Sequence, residues 1–404
     1  MISLDEARAH VLDQIRVADP ISVALADAGG LVLAADVVAG ETVPPFANTA
    51  MDGFAVVAAD TSAAPVTLDV VGTVAAGAAA DRAIVAGEAM RIMTGAPMPP
   101  GADAVVMVER TNYDETAGRV EVEITVPSGN HVRGAGEDVR PGDLLFEAGT
   151  QLGAGHLGVL ASVGVTTVMA YPRPRVGVVS TGDELVDDGR PLAPGEIRDS
   201  NRLTLLTMLE ESGFDAIDLG LARDNEDAIE TAFRDGVARC DAVLSSGGVS
   251  MGAFDYVKVV LDRIGAMRWM QIAIKPAKPF AFGLVDGTPI FGLPGNPVSS
   301  MVSYELFARP GLRKMAGQSA LLRPARRAIS ADDLGRHDDG KTHFLRMNGG
   351  PDDTGRWHVR KLGGQGSHQL TGMANATALA VVPDQVDIQV GDEVDIIPLG
   401  TLGL

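Results

Sequence analysis

The chain has 404 residues, of which 46% are hydrophobic, so it can bury a substantial core and is long enough for roughly two to four domains. It carries 53 acidic and 33 basic residues, a formal net charge of -20, which argues against a general nucleic-acid or anionic-membrane surface. The single cysteine, Cys240, excludes an intrachain disulfide and a zinc site built from several thiolates. With no membrane-length apolar stretch and no signal-peptide pattern at the start, we expect a soluble, cytoplasmic protein.

The first part of the chain opens with a helical pattern and continues with strand-like runs. Ser3 and Glu6 have the spacing of a capping box, and the apolar residues that follow recur at helical intervals, which predicts an amphipathic helix. From Val23 to about Ala170, short apolar runs such as Val66–Val74 and Ala104–Glu109 are separated by Gly and Pro. This pattern predicts a β-rich region with at least two lobes.

A regular alternation of compact apolar strands and longer helical patterns starts at Arg175 and predicts a parallel α/β domain. Leu203, Leu206, Met208 and Leu209 are the predicted apolar positions of its first helix, and Gly213 is the predicted stop. Beyond Arg323 the strand-like pattern returns, so a small β domain is expected to close the chain. The predicted strands of the α/β domain are Arg175–Ser180, Ala216–Leu221, Ala242–Ser245 and Pro289–Gly292, and its later helices are expected at Asp255–Ile264 and Val298–Phe307.

Three loops follow these strands and are the best candidates for a ligand site. They are Thr181-Gly-Asp-Glu184, Ser246-Gly-Gly-Val-Ser250 and Leu293-Pro-Gly-Asn-Pro297. In open parallel sheets, ligands bind beyond the carboxyl ends of the strands, where backbone amides and helix N-termini favour anions. One such loop is more often an ordinary turn, but three in one domain favour a phosphate-binding crevice.

Charged residues beside these loops predict how an anion could be held. Carboxylates at Glu184, Asp224 and Asp255 would repel phosphate unless a divalent cation lay between them, and Mg²⁺ commonly combines one or two carboxylates with substrate phosphates and waters. Asp199 and Asp224 are equally well placed to cap helices as to contact a ligand. Lys275 and Lys278 are separated by proline and could hold phosphate or an oxyanion as fixed positive charges.

Two motif matches point to other classes of enzyme. Gly248-Val-Ser250-Met-Gly252 has the nucleophile-elbow spacing of a serine hydrolase, but two glycines separate Ser250 from its strand, and no Asp–His pair identifies itself downstream. The run Gly153–Gly158 matches a dinucleotide fingerprint, but no suitable strand precedes it and it reads as the start of a helix.

Read in order, a set of short runs spans nearly the whole chain: Ala50-Met-Asp-Gly-Phe-Ala-Val56, Arg91-Ile-Met-Thr-Gly-Ala-Pro97, Gly136-Glu-Asp138, Ser180-Thr-Gly-Asp-Glu-Leu185, Asp199-Ser-Asn201, Ser245-Ser-Gly-Gly-Val-Ser250, Asp255-Tyr256 and Gly292-Leu-Pro-Gly-Asn-Pro297. Together they resemble the molybdopterin molybdenumtransferase family, which includes the bacterial MoeA proteins and the gephyrin E domain. Each run is short, but the combination is highly specific.

The resemblance implies a multi-domain α/β plus β protein, with a central three-layer α/β domain, β-rich N-terminal lobes and a small C-terminal β-barrel. Its domains are expected at 1–45 with 139–171 (scaffold and dimerisation), 46–138 (inserted lobe), 172–322 (α/β) and 323–404 (barrel). It also implies a homodimer with each active site between subunits. The implied reaction is that of adenylylated molybdopterin with molybdate, in the presence of Mg²⁺, to give the molybdenum-loaded cofactor and AMP.

The resemblance and the loops together give a set of expected site residues. Those expected to act in catalysis are Asp52, Asp138, Glu184, Asp255 and Lys275, with Glu184 and Asp255 as expected magnesium ligands. Those expected to bind substrate are Thr94, Thr181, Gly182, Asp224, Gly247, Gly248, Ser250, Lys278, Pro294, Gly295, Asn296, Pro297 and Ser367.

Two departures and one rival class accompany this interpretation. Gln271 stands where many family members carry lysine, and Ala277 where glycine is common, so the oxyanion contacts are expected to differ. A non-catalytic scaffold of the gephyrin type remains the alternative from another class, with other cofactor-biosynthesis proteins as potential partners, although the acidic and proline loops favour catalysis. The serine hydrolase is the less favoured rival enzyme.

Overall fold

The computed structural model describes residues 1–249 and 256–400. The chain divides into two compact units, one formed by Met1–Ile21, Gly30–Ala34 and Ala170–Leu404, and the other by Ser22–Gly29 and Ala35–Met169. None of the helices within the described residues is long and apolar enough to cross a membrane. The four finer domain boundaries expected from the sequence stay a prediction.

In chain order, the α-helices of the described residues are α1 (Leu4–Gln14), α2 (Ala154–Ser162), α3 (Asn201–Glu211), α4 (Glu226–Arg239), α5 (Tyr256–Ile264), α6 (Pro297–Ser303), α7 (Arg309–Met315) and α8 (Leu370–Ala374). The strands are β1 (Ile21–Ala24), β2 (Val32–Leu33), β3 (Val37–Val38), β4 (Asn48–Thr49), β5 (Gly53–Val56), β6 (Val66–Val74), β7 (Glu88–Ile92), β8 (Ala104–Met107), β9 (Thr111–Asp114), β10 (Arg119–Val122), β11 (Val132–Arg133), β12 (Leu144–Phe146), β13 (Thr167–Tyr171), β14 (Arg175–Thr181), β15 (Leu185–Val186), β16 (Ile197–Arg198), β17 (Asp215–Ala222), β18 (Ala242–Ser246), β19 (Ala266–Gln271), β20 (Ile274–Lys275), β21 (Pro279–Val285), β22 (Thr288–Leu293), β23 (Arg326–Ser330), β24 (Thr342–Pro351), β25 (Trp357–Lys361), β26 (Ala378–Val382) and β27 (Glu393–Pro398).

The smaller unit contains the β-rich lobe predicted from the sequence. Its six-stranded sheet has the order β8-β5-β7-β6-β10-β9 and is antiparallel except where β6 runs parallel to β7. One face packs a core that includes Phe54, Leu68 and Val120. The helix expected at Gly153–Gly158 is present as α2, so the dinucleotide-like glycines begin a helix with no strand leading directly into them.

The larger unit is built on a six-stranded sheet of order β17-β14-β18-β22-β21-β19, whose first four strands are parallel. Successive residues of β14 enter different cores: Val178 packs with Leu205 of α3, and Val179 with Phe233 of α4. Because both faces of the strand are buried, it reads as a continuous apolar run. The three-layer α/β expectation is confirmed.

One detail of the helix predictions was wrong, and one open alternative is decided against. Leu203 was expected on the apolar face of α3 but is 70% exposed, because residues four apart, here Leu205 and Leu209, are the ones that share the sheet-facing side. The cap of α4 is Asn225, whose side chain accepts a hydrogen bond from the backbone N–H of Ala228 at 2.9 Å, so Asp224 does not cap that helix.

The helix predicted for Val298–Phe307 is longer and interrupted. α6 passes into one π-helical turn, Tyr304–Ala308, and then into α7. Pro310 has no N–H to donate to the carbonyl of Leu306, four residues earlier. The guanidinium Nε of Arg8 on α1 donates to that carbonyl at 3.3 Å instead.

The C-terminal region forms the β-barrel that the sequence predicted. Strands β24, β25, β23, β27 and β26 pair in that order, and β26 returns to β24 to close five strands. Its interior includes Met347, Val359, Val394 and Ile396. β20 adds to the outside of β24, with Lys275 in register with His343.

Candidate functional site

A crevice of about 550 Å³ lies at the carboxyl ends of β14, β18 and β22 in the larger unit. These strands are parallel, so the loops that follow them emerge at one edge of the sheet. The residues that line the crevice are Thr181, Glu184, Leu185, Ile197, Arg198, Asp199, Ser200, Asn201, Ser246, Gly247, Gly295, Asn296, Pro297 and His368. All three loops singled out in the sequence therefore contribute to one cavity.

The first loop brings Thr181 and Glu184 to the crevice. Thr181 ends β14 and is buried, whereas Glu184 is exposed to solvent. Gly182 lies between them at φ 150°, and a Cβ atom on it would approach Glu184 Oε2 to 2.5 Å. Glycine at this position leaves room for the Glu184 carboxylate to fold back along the loop.

The second loop requires glycine for two different reasons. Gly247 and Gly248 both have left-handed backbone conformations, with φ of 99° and 68°. A Cβ on Gly247 would lie 3.0 Å from the carbonyl oxygen of Thr181, and one on Gly248 would lie 2.2 Å from Val257 of α5. Because Gly247 has no side chain, the second loop can lie close to the Thr181 backbone. Because Gly248 has none, α5 can pack against the loop.

The third loop, the proline loop Leu293-Pro-Gly-Asn-Pro297, connects β22 to α6. Pro294 is buried and is not among the residues that line the crevice, and Pro297 occupies the first turn of α6, where a missing N–H costs nothing. The side-chain amide of Asn201 joins this loop to the second one, donating to Ser246 Oγ at 2.8 Å and to the carbonyl of Gly295 at 2.7 Å.

The C-terminal region adds His368 to the crevice through a short glycine-containing loop. The neighbouring Ser367 presents its backbone carbonyl to the N–H of Val298, in the first turn of α6, at 3.1 Å. Arg346, which is 1% exposed, supports this loop by donating Nη1 to the carbonyl of Gly366 at 3.1 Å. Ser367 is thus beside the crevice and His368 is in its wall.

The acidic residues expected at the site separate into different environments. Asp199 lines the crevice, but its carboxylate accepts hydrogen bonds from Ser180 Oγ and from the side chain of Arg202 at 3.0 Å each. It also accepts the backbone N–H of Arg202 at 3.2 Å, as a cap of α3 would. Asp224 is not a crevice-lining residue, and its backbone N–H donates to Asp183 Oδ1 at 3.2 Å.

The two predicted lysines are not among the residues that line the crevice. Lys275 and Lys278 are both exposed, and the peptide bond between Lys275 and Pro276 is cis. Ala277 between them is 2% exposed and has φ 72°. This left-handed conformation explains why glycine suits the position, which alanine occupies in this chain.

In the smaller unit, Asp52 and Thr94 form a hydrogen-bonded pair. Asp52 Oδ1 accepts from the backbone N–H of Thr94 at 2.6 Å and from its hydroxyl at 2.8 Å. These two hydrogen bonds, the backbone one first, hold the pKa of Asp52 below its usual value. Both residues line a surface hollow of about 290 Å³ together with Arg91 and Met93. Asp138 is exposed elsewhere in this unit, with its backbone N–H donating to the carbonyl of Val43 at 3.0 Å.

No group of three His, Cys, Asp or Glu side chains is arranged to hold a metal ion within residues 1–249 and 256–400. Asp255 and Ser250, both predicted site residues, lie outside the described residues. The crevice also contains residues that were not predicted as site residues, namely Asn201, Ser246, Arg198 and His368. Asn201 and Ser246 belong to motifs that were recognised in the sequence, but their contacts join positions that are far apart in the chain.

Three family patterns match successive parts of the chain. They are the MoeA N-terminal region (domain I and II) at residues 2–164, a probable molybdopterin binding domain at 177–314, and the MoeA C-terminal region (domain IV) at 327–399. Together they cover most of the sequence in the order expected from its motifs.

Full-length relatives agree with these patterns. A molybdopterin molybdenumtransferase of Haemophilus influenzae is 37% identical over 404 residues, covering 100% of both chains. Molybdopterin molybdenumtransferase 2 of Mycobacterium tuberculosis is 37% identical over 98% of this chain and 99% of its own. A solved molybdopterin biosynthesis MoeA protein of Pyrococcus horikoshii is 30% identical, with a TM-score of 0.80 and 98% of each chain covered.

Proposed function

Because this chain belongs to the molybdopterin molybdenumtransferase (MoeA) family of molybdenum cofactor biosynthesis, we propose that it transfers molybdenum from molybdate to adenylylated molybdopterin, with release of AMP. The observation that carries this proposal is the convergence of three strand-end loops on one crevice, with Asn201 linking two of them. A diphosphate-containing substrate needs such a cradle of backbone amides and polar side chains.

The crevice has the features that a phosphorylated substrate requires. Its volume of about 550 Å³ is within the usual range for a small-molecule site. Gly247 and Gly295 expose backbone, and α6 begins at Pro297 in the same wall, so its N-terminal end favours negative charge. Arg198 and His368 supply side chains that can donate hydrogen bonds to an anion.

Magnesium fits this crevice as a partner of the substrate rather than as an ion held by protein alone. The exposed carboxylate of Glu184 is suited to Mg²⁺, which takes one or two carboxylates and completes its shell with phosphates and water. We assign Glu184 this role, with Asp255 as the second carboxylate. When bound, Mg²⁺ supplies charge neutralisation at the diphosphate.

The other expected residues complete the proposal. Lys275 and Lys278 would hold molybdate or phosphate through their positive charges. Ser367 would contribute to substrate binding through the loop that carries His368 into the crevice wall. Asp52, Thr94 and Asp138 would serve the active site of the other subunit in a homodimer, with the Asp52–Thr94 pair presenting its carboxylate to substrate or metal. We place the protein in the cytoplasm, where it would meet the other enzymes of cofactor biosynthesis.

The rival functions are not favoured. A serine hydrolase using Ser250 and a non-catalytic scaffold both conflict with full-length relatives that are named molybdopterin molybdenumtransferase and are 34–37% identical. A molybdopterin adenylyltransferase would need only an α/β core, whereas the family patterns here also cover the N-terminal and C-terminal regions.

AMP release from purified protein and adenylylated molybdopterin tests the proposal directly. We expect AMP release to require both molybdate and Mg²⁺. Glu184→Gln should lower the rate of release by about 100-fold, because removing one group that helps to stabilise the charge of the transition state has an effect of this size. Glu196→Gln is the matched control, because Glu196 lies between β15 and β16 in the same part of the chain but pairs with Arg190 and does not line the crevice. Molybdate-independent release, labelling by a serine-directed probe or consumption of ATP would each contradict the proposal.

A further inference from the structure

One arginine, Arg202, gathers three carboxylates at the side of the crevice. Its Nε donates to Asp199 Oδ2 at 3.0 Å, and its Nη1 contacts the two carboxylate oxygens of Asp218 at 2.7 and 2.8 Å. Its Nη2 donates to Asp187. The Arg202 side chain is only 14% exposed and that of Asp199 1%, so solvent screens this pair weakly, whereas the side chains of Asp187 and Asp218 are 42% and 50% exposed.

The three carboxylates belong to three separate parts of the larger unit. Asp187 directly follows β15, Asp199 precedes α3, and Asp218 lies in β17. We name residues 183–198, between β14 and the start of α3, the acidic arm; β15 and β16 pair within it. Arg202 therefore fastens the acidic arm to the sheet edge and to the start of α3.

The acidic arm forms one wall of the crevice. It contributes Glu184, Leu185, Ile197 and Arg198 to the lining, and Asp199 follows immediately. Arg202 is the positive charge that Asp187, Asp199 and Asp218 share beside this wall. Removing it would leave three mutually repelling negative charges beside a site for an anionic substrate.

We propose that Arg202 is a positioning residue for the transfer reaction, holding the acidic arm in place and compensating the charge of Asp199 beside the anionic substrate. This inference rests on the proposed function, because it assumes that the crevice binds a diphosphate. Arginine suits the task because its planar fork contacts three carboxylates in different directions, which a single lysine ammonium cannot reproduce.

The electrostatic effect is visible at Asp218. Partial burial acts to raise the pKa of Asp218, but hydrogen bonds from Arg202 and from the backbone N–H of Gly220 hold it below its usual value. Without the guanidinium, we expect the pKa of Asp218 to rise.

The test compares Arg202→Met with wild type in AMP release. We expect KM for adenylylated molybdopterin to rise about tenfold or more, with a smaller change in kcat, because binding of an anion is what the uncompensated carboxylates oppose. Adding Asp199→Asn to Arg202→Met should recover part of the lost affinity. Arg234→Met is the matched control, since Arg234 pairs with Glu230 on α4 and does not line the crevice.

Hydrogen exchange of the acidic arm gives a second measurement that does not depend on turnover. Arg202→Met should speed exchange at Ile197 and Asp199, whose backbone N–H groups donate to Glu184 and Val186 in the free protein. If Arg202→Met does not fold, Arg202→Lys takes its place. It keeps the charge but not the three contacts, so its KM should rise by less than the roughly tenfold increase expected for Arg202→Met. An unchanged KM and unchanged exchange in a folded variant would overturn the inference. Wild-type protein without molybdate-dependent AMP release would instead refute the proposed function, leaving the exchange result to decide the role of Arg202 in the arm.

Discussion

The side-chain amide of Asn201 donates a hydrogen bond to Ser246 Oγ at 2.8 Å, linking the first turn of α3 to the end of β18. The same amide donates to the carbonyl of Gly295 at 2.7 Å, in the loop before α6. One side chain thus fixes the spacing between two of the loops that form the crevice. Because a substrate phosphate must meet both loops at once, their spacing bears on substrate binding.

The first prediction concerns this link. Replacing Asn201 with Ala removes both hydrogen bonds, each contributing about 0.5–1.5 kcal/mol to the arrangement of the loops. We expect kcat/KM for molybdate-dependent AMP release to fall by about 10- to 100-fold, with little change in Tm because Asn201 is partly exposed. Asn348→Ala is the control, since its amide bonds only the carbonyl of Asn375 in the barrel. Normal kinetics in the Asn201 variant would show that the link is dispensable.

Local patterns in the sequence were enough to predict the scaffold. β6 has the same bounds, Val66–Val74, as the apolar run that predicted it, and Ser3 caps α1 by accepting the N–H of Glu6 at 3.0 Å. Strand and cap signals of this kind depend on neighbours in the chain, so they can be read without the fold. The edge of the sheet where ligands collect follows from the same strand assignments.

Features that depend on distant residues could not be predicted in this way. The role of Asn201 requires partners 45 and 94 residues away, and the Leu306 carbonyl within the π-helical turn at Tyr304–Ala308 is contacted by Arg8 from the other end of the chain. From the sequence alone, Asp199 was as well placed to cap a helix as to contact a ligand. Its burial against Arg202 favours the structural role, which no local pattern could decide.

The second prediction concerns the backbone at Ala277. Its left-handed φ of 72° costs a non-glycine residue about 1–2 kcal/mol. Ala277→Gly relieves this cost, but it also removes a buried methyl group worth about 0.8 kcal/mol and adds about 0.4–1 kcal/mol of unfolded-chain entropy. We therefore expect a change of less than about 1 kcal/mol in the free energy of unfolding. Ala277→Val should destabilise the protein by more than about 2 kcal/mol, because a β-branched side chain is a poor fit to this conformation. Urea denaturation of the two variants checks the contrast, and equal stabilities would contradict it.

The third prediction is the pH response of Asp52. Two hydrogen bonds from Thr94 hold its pKa below the usual value, so the charged form is favoured in the folded protein. The contribution of Asp52 to stability is therefore present above its unfolded pKa and is lost as pH falls through its folded pKa. Thr94→Val removes the hydroxyl donor but keeps the backbone one, so the pKa should move part of the way back. Carboxyl NMR titration measures this shift. Thr111→Val is the control, because the Thr111 hydroxyl bonds the carbonyl of Val108 instead, and an equal shift in both variants would reject the pairing.

The fourth prediction concerns the buried ion pair that Glu305, in the π-helical turn, makes with Arg323. The carboxylate of Glu305, 4% exposed, accepts hydrogen bonds from Arg323 at 2.8 and 3.0 Å, and Arg309 lies 4.0 Å away. Arg323→Met should lower the free energy of unfolding by about 3 kcal/mol, because it leaves a buried carboxylate with one distant cation. Replacing Glu305 with Gln in the same protein should not restore that loss, because Arg309, itself 4% exposed, would then be a buried cation without its counter-charge. Arg327→Met removes an exposed pair with Asp395 and should cost less than about 1 kcal/mol. Chemical denaturation of the three variants decides the matter: if removing Arg323 costs no more than removing Arg327, the pair does not stabilise this region.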